Sequence, residues 1–373
     1  MPRNIGTPLL SLGRLPAPPH LGPVDDDDDD IPGPDRIIRK RWYHYLPLLL
    51  AVLMILAPHP SLLLIFVNYY YHVHDALLYA SAHMLVVYTL TFLAFSSLIV
   101  VLARDPGPVG DKSQGEDASE DGEESFLEAL LAPPEGEEAH GPGKWCKKCS
   151  APKPERAHHC GACGRCVLKM DHHCMWLGHR CIGHRTHASF VHFLCCVTLL
   201  AVYVAVLCAS VVWWAFSHPH DIDETTPIHA MFLAFYGIVI SMVIGSFCVY
   251  HLYLISTNQT TLESLSPFLL LRHITLPDNA DSRRLSDPPL EHELSFEQRM
   301  LVRDAHRHLR LYDVGFKGNW AQVFGWTKPW GWVYRIAIGG SCTGDGWTFP
   351  RNPRAEQMLA RLASDLVSAD KDR

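Results

Sequence analysis

Four long stretches free of Lys, Arg, Asp and Glu dominate the pattern of this chain: residues 46–67, 76–102, 189–216 and 228–255. A helix needs roughly 20 apolar residues to cross about 30 Å of hydrocarbon. The last three stretches exceed that length, and each predicts a transmembrane helix. The first is interrupted by Pro58, His59 and Pro60, so a re-entrant hairpin competes there with a full span. The segments between have the opposite character. Residues 1–41 are rich in Pro and Gly and hold an unbroken aspartate run at 25–30, and residues 108–143 hold eleven acidic side chains and one lysine. Both predict solvated, flexible chain. Residues 277–289 predict a surface loop. The apolar segment 262–274 predicts a piece lying along the membrane surface. Trp320, Trp326, Trp330 and Trp332 suit either an interfacial anchor or a small soluble core.

Charge at the ends of the spans sets their direction. Arg36, Arg39, Lys40 and Arg41 precede the first span, whereas residues 68–75 and 217–227 contain no Lys or Arg. Residues 144–187 carry nine Lys/Arg against Glu155 and Asp171, a net +7. By the positive-inside rule the N-terminus, the segment between spans two and three, and the C-terminus are expected in the cytosol, with two short loops in the lumen. That alternation needs an even number of spans and so favours the first one. Residues 1–20 lack the apolar core and cleavage site of a signal peptide, so the first span is expected to act as an uncleaved anchor.

Composition narrows the function classes. Of 373 residues 48% are hydrophobic and 19% charged, below the roughly 25% charged of soluble domains. That argues against a soluble single-core protein and against a disordered chain. The formal charge of −7 argues against a nucleic-acid binder, so no nucleic-acid partner is expected. Seven of the twelve cysteines fall within residues 146–181, at spacings that suit metal knuckles rather than a secreted disulfide framework.

The pairs Cys146/Cys149 and Cys160/Cys163 are strong zinc signals, because structural zinc takes four Cys/His ligands from close-spaced knuckles. Two closed sites need eight ligands. Six cysteines and two histidines fill them as two Cys3His sites, which leaves one cysteine over. Cys174 is the best candidate for the spare, because Asp171 and His172 stand beside it. A thiol, an imidazole and a carboxylate suit nucleophilic catalysis: the His takes or stabilises the thiol proton and the Asp fixes the tautomer. The competing reading makes Cys174 another ligand or a buried thiol.

The run Asp171-His172-His173-Cys174 within this array resembles the DHHC-type protein S-acyltransferases, or palmitoyltransferases. Asp105-Pro106-Gly107 after the second span is similar to the family's DPG motif, and Thr260-Thr261-Leu262-Glu263 after the fourth to its TTxE motif. Tyr312, Asn319-Trp320 and Val323-Phe324-Gly325 are similar to its C-terminal aromatic-and-asparagine element, with local likeness to fungal vacuolar members. The resemblance runs from about residue 46 to 326.

It implies an α-helical integral membrane protein with four transmembrane helices and a cytosolic two-zinc cysteine-rich domain between helices 2 and 3. The implied organisation is a tail (1–41), spans 1 and 2 with the DPG motif (42–107), a linker (108–143), the cysteine-rich domain (144–188), spans 3 and 4 (189–255), the TTxE and aromatic elements (256–335) and a C-terminal tail (336–373). One structural zinc is implied on Cys146, Cys149, His159 and Cys166, and the other on Cys160, Cys163, His173 and Cys181. Cys174 is implied to take an acyl group from palmitoyl-CoA and pass it to cysteines of membrane-associated substrate proteins. His172 would be the base and Asp171 its orienting partner. Thr261 would hydrogen-bond Asp171, and Asn319 would hold the C-terminal element in place. Lys153, Arg156 and His158 are candidate contacts for CoA phosphates, and Trp176 a cover for the reaction centre. The expected location is an endomembrane of vacuole, Golgi or ER.

The chain also departs from the family. Met175 stands where proline is usual, the gap from Cys174 to Cys181 is one residue longer, His179 and Arg180 replace an often-found asparagine, and Thr186 replaces another. A shift of Cys181 by that extra residue would leave a catalytically impaired, zinc-binding membrane adaptor. Cys195, Cys196, Cys208 and Cys248 in the spans read as small packing residues. His59, His83, His192, His229 and His251 read as hydrogen-bonded packing.

Overall fold

A computed structural model describes residues 41–109, 145–146, 148–149, 151–276, 285–286, 288–325 and 330–371. The aspartate run, nearly all of the acidic linker, most of the 277–289 loop and Trp326 lie outside these.

Four helices are long and apolar enough to cross a membrane: Trp42–Val73, Leu77–Ala103, His187–Ser217 and Thr225–Ser256. In the first, Pro58 and Pro60 fall at the start of a new helical segment, His59–Ile65. The first N–H groups of a helix have no carbonyl to pair with, so proline costs little there. Ala57 N donates to Leu53 O and Leu62 N to Pro58 O across the junction. The stretch therefore continues as one span-length helix, and it ends in a π-helical segment, Phe66–Val73. Most of the loop expected at 68–75 belongs to that segment.

The spans pack through small and polar residues, as helices in lipid do. At Gly237 a Cβ would sit 2.7 Å from Ala201 O and 2.9 Å from Ala205 N, so glycine lets the third and fourth spans touch by their backbones. Leu62, Ile65 and Phe66 pack against Val87, Leu200, Val204 and Leu233. His59 bonds Thr91 at 3.1 Å, His83 bonds Tyr203 at 2.6 Å, His192 bonds Ser97 at 2.6 Å and His229 bonds Ser61 at 3.1 Å. His251 has no such partner among the described residues.

Beyond the fourth span, the short helix Thr261–Leu265 opens on a capping box, in which Thr260 and Glu263 satisfy each other's backbone N–H. The segment 262–274 turns part of its apolar surface inward. Leu270, Leu271 and Ile274 close a compact core with Val302 of helix Phe296–His308, Leu309 just after it, and Leu359, Leu362 and Leu366 of helix Pro353–Lys371. Its apolar residues serve that core, and Leu265 alone among its leucines is strongly exposed. The tryptophans divide between the two expected roles. Trp320 packs against the core at the end of the spans and donates to Ser256 Oγ at 3.1 Å. Trp330 and Trp332 stay exposed beside helix Gly331–Ile338, which is tied to the second span by Ser96 Oγ donating to Ala337 O.

Candidate functional site

Between the second and third spans the chain forms three two-stranded antiparallel hairpins. They pair β1 (Trp145–Cys146) with β2 (Ala151–Pro152), β3 (His158–Cys160) with β4 (Arg165–Val167), and β5 (His172–Cys174) with β6 (Arg180–Ile182). Ladders of two or three residues are not stable on their own. Register supplies the reason they persist: His159 lies opposite Cys166 and His173 opposite Cys181, so each of these hairpins turns a histidine and a cysteine toward one point.

Two donor clusters result, Cys146/Cys149/His159/Cys166 and Cys160/Cys163/His173/Cys181. In the first, His159 Nδ1 lies 3.6, 3.2 and 3.9 Å from the three sulfurs. In the second, His173 Nδ1 lies 3.5, 3.4 and 3.7 Å from the sulfurs, and Cys163 Sγ is 3.5 Å from Cys181 Sγ. A tetrahedral zinc with three thiolates and one imidazole has S···N edges of about 3.6 Å and S···S edges of about 3.8 Å. The donor sets and spacings therefore fit a metal of that kind, and the residues present could hold two.

The extra residue after Cys174 does not displace Cys181. It is taken up in the β5–β6 turn, where Gly178 and His179 adopt left-handed backbone at φ 67° and 50°. His179 then meets His173 Nε2 at 3.4 Å, on the side away from the cluster, and stacks within 4.4 Å of His44. A partner on the outer nitrogen of a ligating imidazole fixes its orientation.

The Asp105-Pro106-Gly107 strap fastens this domain to the second span. Asp105 pairs with Arg165 at 2.7 Å, and Gly107 O accepts from Leu168 N. Gly107 needs its glycine, since its φ is 120° and a Cβ would meet Leu168 Cβ at 3.1 Å.

Strand β5 presents His172 and Cys174 on the same face, two residues apart. His172 Nδ1 bonds Asp171 Oδ2 at 2.7 Å, which leaves Nε2 for the thiol of Cys174, two residues along the same strand. Asp171 is 1% exposed and its backbone N is tied to Ile182 O. Thr261 donates to it twice, from N to Oδ1 at 2.9 Å and from Oγ1 to Oδ2 at 2.7 Å. Burial alone would raise the Asp171 carboxyl, but the hydrogen bond from His172 and the surrounding imidazoles hold it well below the usual carboxylate range. Burial alone would lower His172, yet its bond to the Asp171 carboxylate and the nearness of Cys174 carry it up to about 9. The arrangement stabilises the imidazolium that forms when the thiol proton passes to His172. Cys174 also packs on the apolar core where the second and third spans converge, with Leu177, Phe190 and Leu194. Phe190 and Phe247 line His172, at 5.3 and 6.4 Å between ring centres.

Asn319 is fully buried. Its Nδ2 donates to Ser256 O and Asp313 Oδ1, and its Oδ1 accepts from Val314 N, so it joins the helix Phe316–Phe324 to the end of the fourth span.

The expected phosphate contacts need correction. Arg156 is 5% exposed and its donors are used: two reach Glu263 at 2.7 Å, two reach Asn258 at 3.0 Å, and the guanidinium lies 4.3 Å over Tyr312. It joins the cysteine-rich domain to the Thr260–Glu263 motif and is not offered to an outside anion. His158 is held down to about 4 by burial and by Arg272 nearby, so at neutral pH it carries no charge for a phosphate. Lys153 is half-buried and keeps its candidacy. Trp176 is 50% exposed and so is not packed as a cover; the rings against His172 belong to Phe190, Phe247 and His251.

Sequence reasoning named Glu263 and His251 without their partners and missed His187 altogether. Glu263 is the buried counter-ion of Arg156, and His187 and His251 converge on Asp171. No local spacing signals them, because their partners lie 107, 16 and 80 positions away.

Comparison with known proteins agrees with this geometry. Residues 139–267 match the family model described as DHHC palmitoyltransferase. The chain is similar to palmitoyltransferase PFA3 of Gibberella zeae, 30% identical over 61% of this chain and 50% of that protein. It is similar to palmitoyltransferase ZDHHC2 of Homo sapiens, 31% identical over 56% of this chain and 46% of that protein. It is also similar to palmitoyltransferase ZDHHC15 of Rattus norvegicus, 29% identical over 62% and 58%. The chain thus spans about half the length of the curated relatives it matches. The two metal-ready clusters and Asp171-His172-His173-Cys174 at their edge all fall within the residues that match the DHHC palmitoyltransferase model.

Proposed function

We propose that this protein is a protein S-palmitoyltransferase that acts through a Cys174 acyl-enzyme. The observation that carries the reading is the position of Cys174 on one strand face with His172, whose Nδ1 is bonded to Asp171, at the apolar junction of the spans. In the first step His172 Nε2 takes the thiol proton, and the Cys174 sulfur attacks the thioester carbonyl of palmitoyl-CoA. The tetrahedral adduct collapses, CoA leaves as a thiolate, and His172 returns the proton to it. In the second step a cysteine thiol of a substrate protein attacks the Cys174 thioester, with His172 again taking the proton, and Cys174 is regenerated. Asp171 holds the His172 tautomer and stabilises its charged form throughout.

Placement at the end of the spans suits the substrate. The acyl chain stays among apolar side chains beside Cys174, which avoids about 0.8 kcal/mol per CH₂ of exposure to water. CoA stays in water, and the basic surface of this domain, Lys153 included, faces its phosphates. When bound, two zinc ions brace the hairpins and take no part in the chemistry. Residues 144–187 lie in the cytosol by the distribution of Lys and Arg, and the host is an endomembrane. The impaired-adaptor reading rested on the extra residue after Cys174. With Cys181 still 3.5 Å from Cys163, that residue lends it no support.

The test is transfer. Purified protein charged with an alkyne-bearing palmitoyl group is mixed with a membrane-anchored peptide containing one cysteine. The label is expected to move to the peptide and to leave it with neutral hydroxylamine. A charged protein that never passes its label on would overturn the transferase reading.

A further inference from the structure

We infer that Asp171, His187 and His251 form a third metal site, one carboxylate and two imidazoles, that takes a divalent transition-metal ion and thereby competes with His172 for Asp171. The three side chains come from three separate elements. Asp171 leads into β5, His187 is the first residue of the third span, and His251 lies one turn and a half from the end of the fourth. They are 1, 3 and 0% exposed, and their donor atoms lie within 4.8 Å of one another.

The unpartnered nitrogens point to a ligand. Among the described residues, neither ring nitrogen of His187 nor of His251 has a hydrogen-bond partner. Four other span histidines, His59, His83, His192 and His229, each bond a hydroxyl of a neighbouring helix, and of the remaining two His44 leaves one ring nitrogen unpaired among the described residues. A buried polar atom with nothing to bond is costly to the fold. The walls offer no relief, since the rings nearest His251 are those of Phe247 at 4.6 Å and Phe190 at 5.1 Å. Asp171 has capacity left: a carboxylate accepts at about four positions, and Thr261 and His172 use three. Ligands of a tetrahedral zinc stand about 3.4 Å apart, so a modest rotation of two otherwise uncommitted imidazoles completes the set. Two imidazoles and one carboxylate select zinc, iron, cobalt or nickel over magnesium and calcium, which prefer all-oxygen sites. No sulfur takes part, which separates this site from the two Cys3His clusters.

The regulatory half of the inference rests on the acyltransferase reading. An ion on Asp171 weakens the 2.7 Å bond by which that carboxylate orients His172, whose ring centre is 5.8 Å from that of His251. Acylation of Cys174 then slows, and chelation of the third ion restores it.

The experiment uses the full chain in detergent with its two zinc ions in place. Cobalt(II) is added and metal per chain is counted after dialysis. Wild type is expected to hold two zincs and one cobalt, with visible absorption that lacks a sulfur-to-metal charge-transfer band. His187→Gln and His251→Gln, on different helices, are each expected to hold two zincs and no cobalt. Saturation of wild type at two metals, or a third ion kept by both variants, overturns the site. In parallel, Cys174 labelling by the palmitoyl-CoA analogue is expected to fall at least tenfold in wild type as cobalt fills the site, and to be insensitive to cobalt in the variants. Filling without loss of labelling overturns the regulatory half. Absence of labelling before any cobalt is added counts against the acyltransferase reading, while the metal count still decides the site.

Discussion

Glu263→Gln tests the joint between the cysteine-rich domain and the chain that follows the fourth span. The substitution keeps the shape of the side chain and removes its charge. Burial alone would raise the Glu263 carboxyl, but Arg156 holds it below its ordinary value, so the pair is ionised at neutral pH. The two side chains are 1% and 17% exposed, and their contact is bidentate at 2.7 Å. Removing one member of such a pair strands the other charge in the interior, which costs about 3–5 kcal/mol. At about 2–4 °C per kcal/mol for domains of this size, the melting temperature should fall on the order of 10 °C. Because Glu263 also caps Thr260 N, the Thr261 contact to Asp171 should loosen as well, and Cys174 labelling should slow. The assay is thermal unfolding in detergent, followed by tryptophan fluorescence, with zinc content measured beside it. The double variant Arg156→Met/Glu263→Leu carries no stranded charge, so it should melt well above the single variant. A Glu263→Gln protein that melts with wild type, or a double variant no more stable than the single, would refute the reasoning.

Other outcomes follow from the same contacts. Thr261→Val removes one hydrogen bond to a buried carboxylate, worth about 1.5–3 kcal/mol, and should slow Cys174 acylation by about ten- to a hundredfold without loss of zinc; an unchanged rate would remove Thr261 from the account. A strong chelator should strip two zinc equivalents and open Cys146, Cys149, Cys160, Cys163, Cys166 and Cys181 to alkylation, read by mass spectrometry, whereas thiols still protected after metal loss would show that the clusters do not brace the hairpins. Gly183→Ala places a Cβ 2.6 Å from Val167 Cγ1 and 2.8 Å from Pro106 O, where the strap crosses the domain. Overpacking there should cost about 1–3 kcal/mol, visible as a lower melting temperature; a variant that melts with wild type would show that the strap yields freely.

What the sequence made legible was local. Blocks of 20 or more apolar residues announced the spans, because the bilayer imposes a length that few other structures need. Cysteine pairs three positions apart announced the clusters, since a knuckle delivers two ligands from one turn. The Cys174 thiol stood out by ligand arithmetic. What stayed hidden was long-range. Arg156 read as a surface cation among other cations, yet Glu263, beyond two spans, takes it inside. Residues 262–274 read as interfacial because they are apolar, yet Leu359 and Leu366, nearly a hundred positions on, supply their partners. The extra residue after Cys174 looked like a threat to Cys181. The left-handed backbone at His179, which asparagine or glycine would adopt more readily, absorbs it, and no spacing rule foretells that.

The most direct test of the central claim is acyl-enzyme formation at Cys174. The purified full chain is mixed with an alkyne-bearing palmitoyl-CoA analogue, quenched, and treated with neutral hydroxylamine, beside Cys174→Ser and Cys342→Ser. Cys342 is 8% exposed and packed in the core, so its removal serves as the control. The account predicts a hydroxylamine-labile label on wild type and Cys342→Ser and none on Cys174→Ser. A zinc-replete wild type that takes no label, or a label that survives Cys174→Ser, would contradict it.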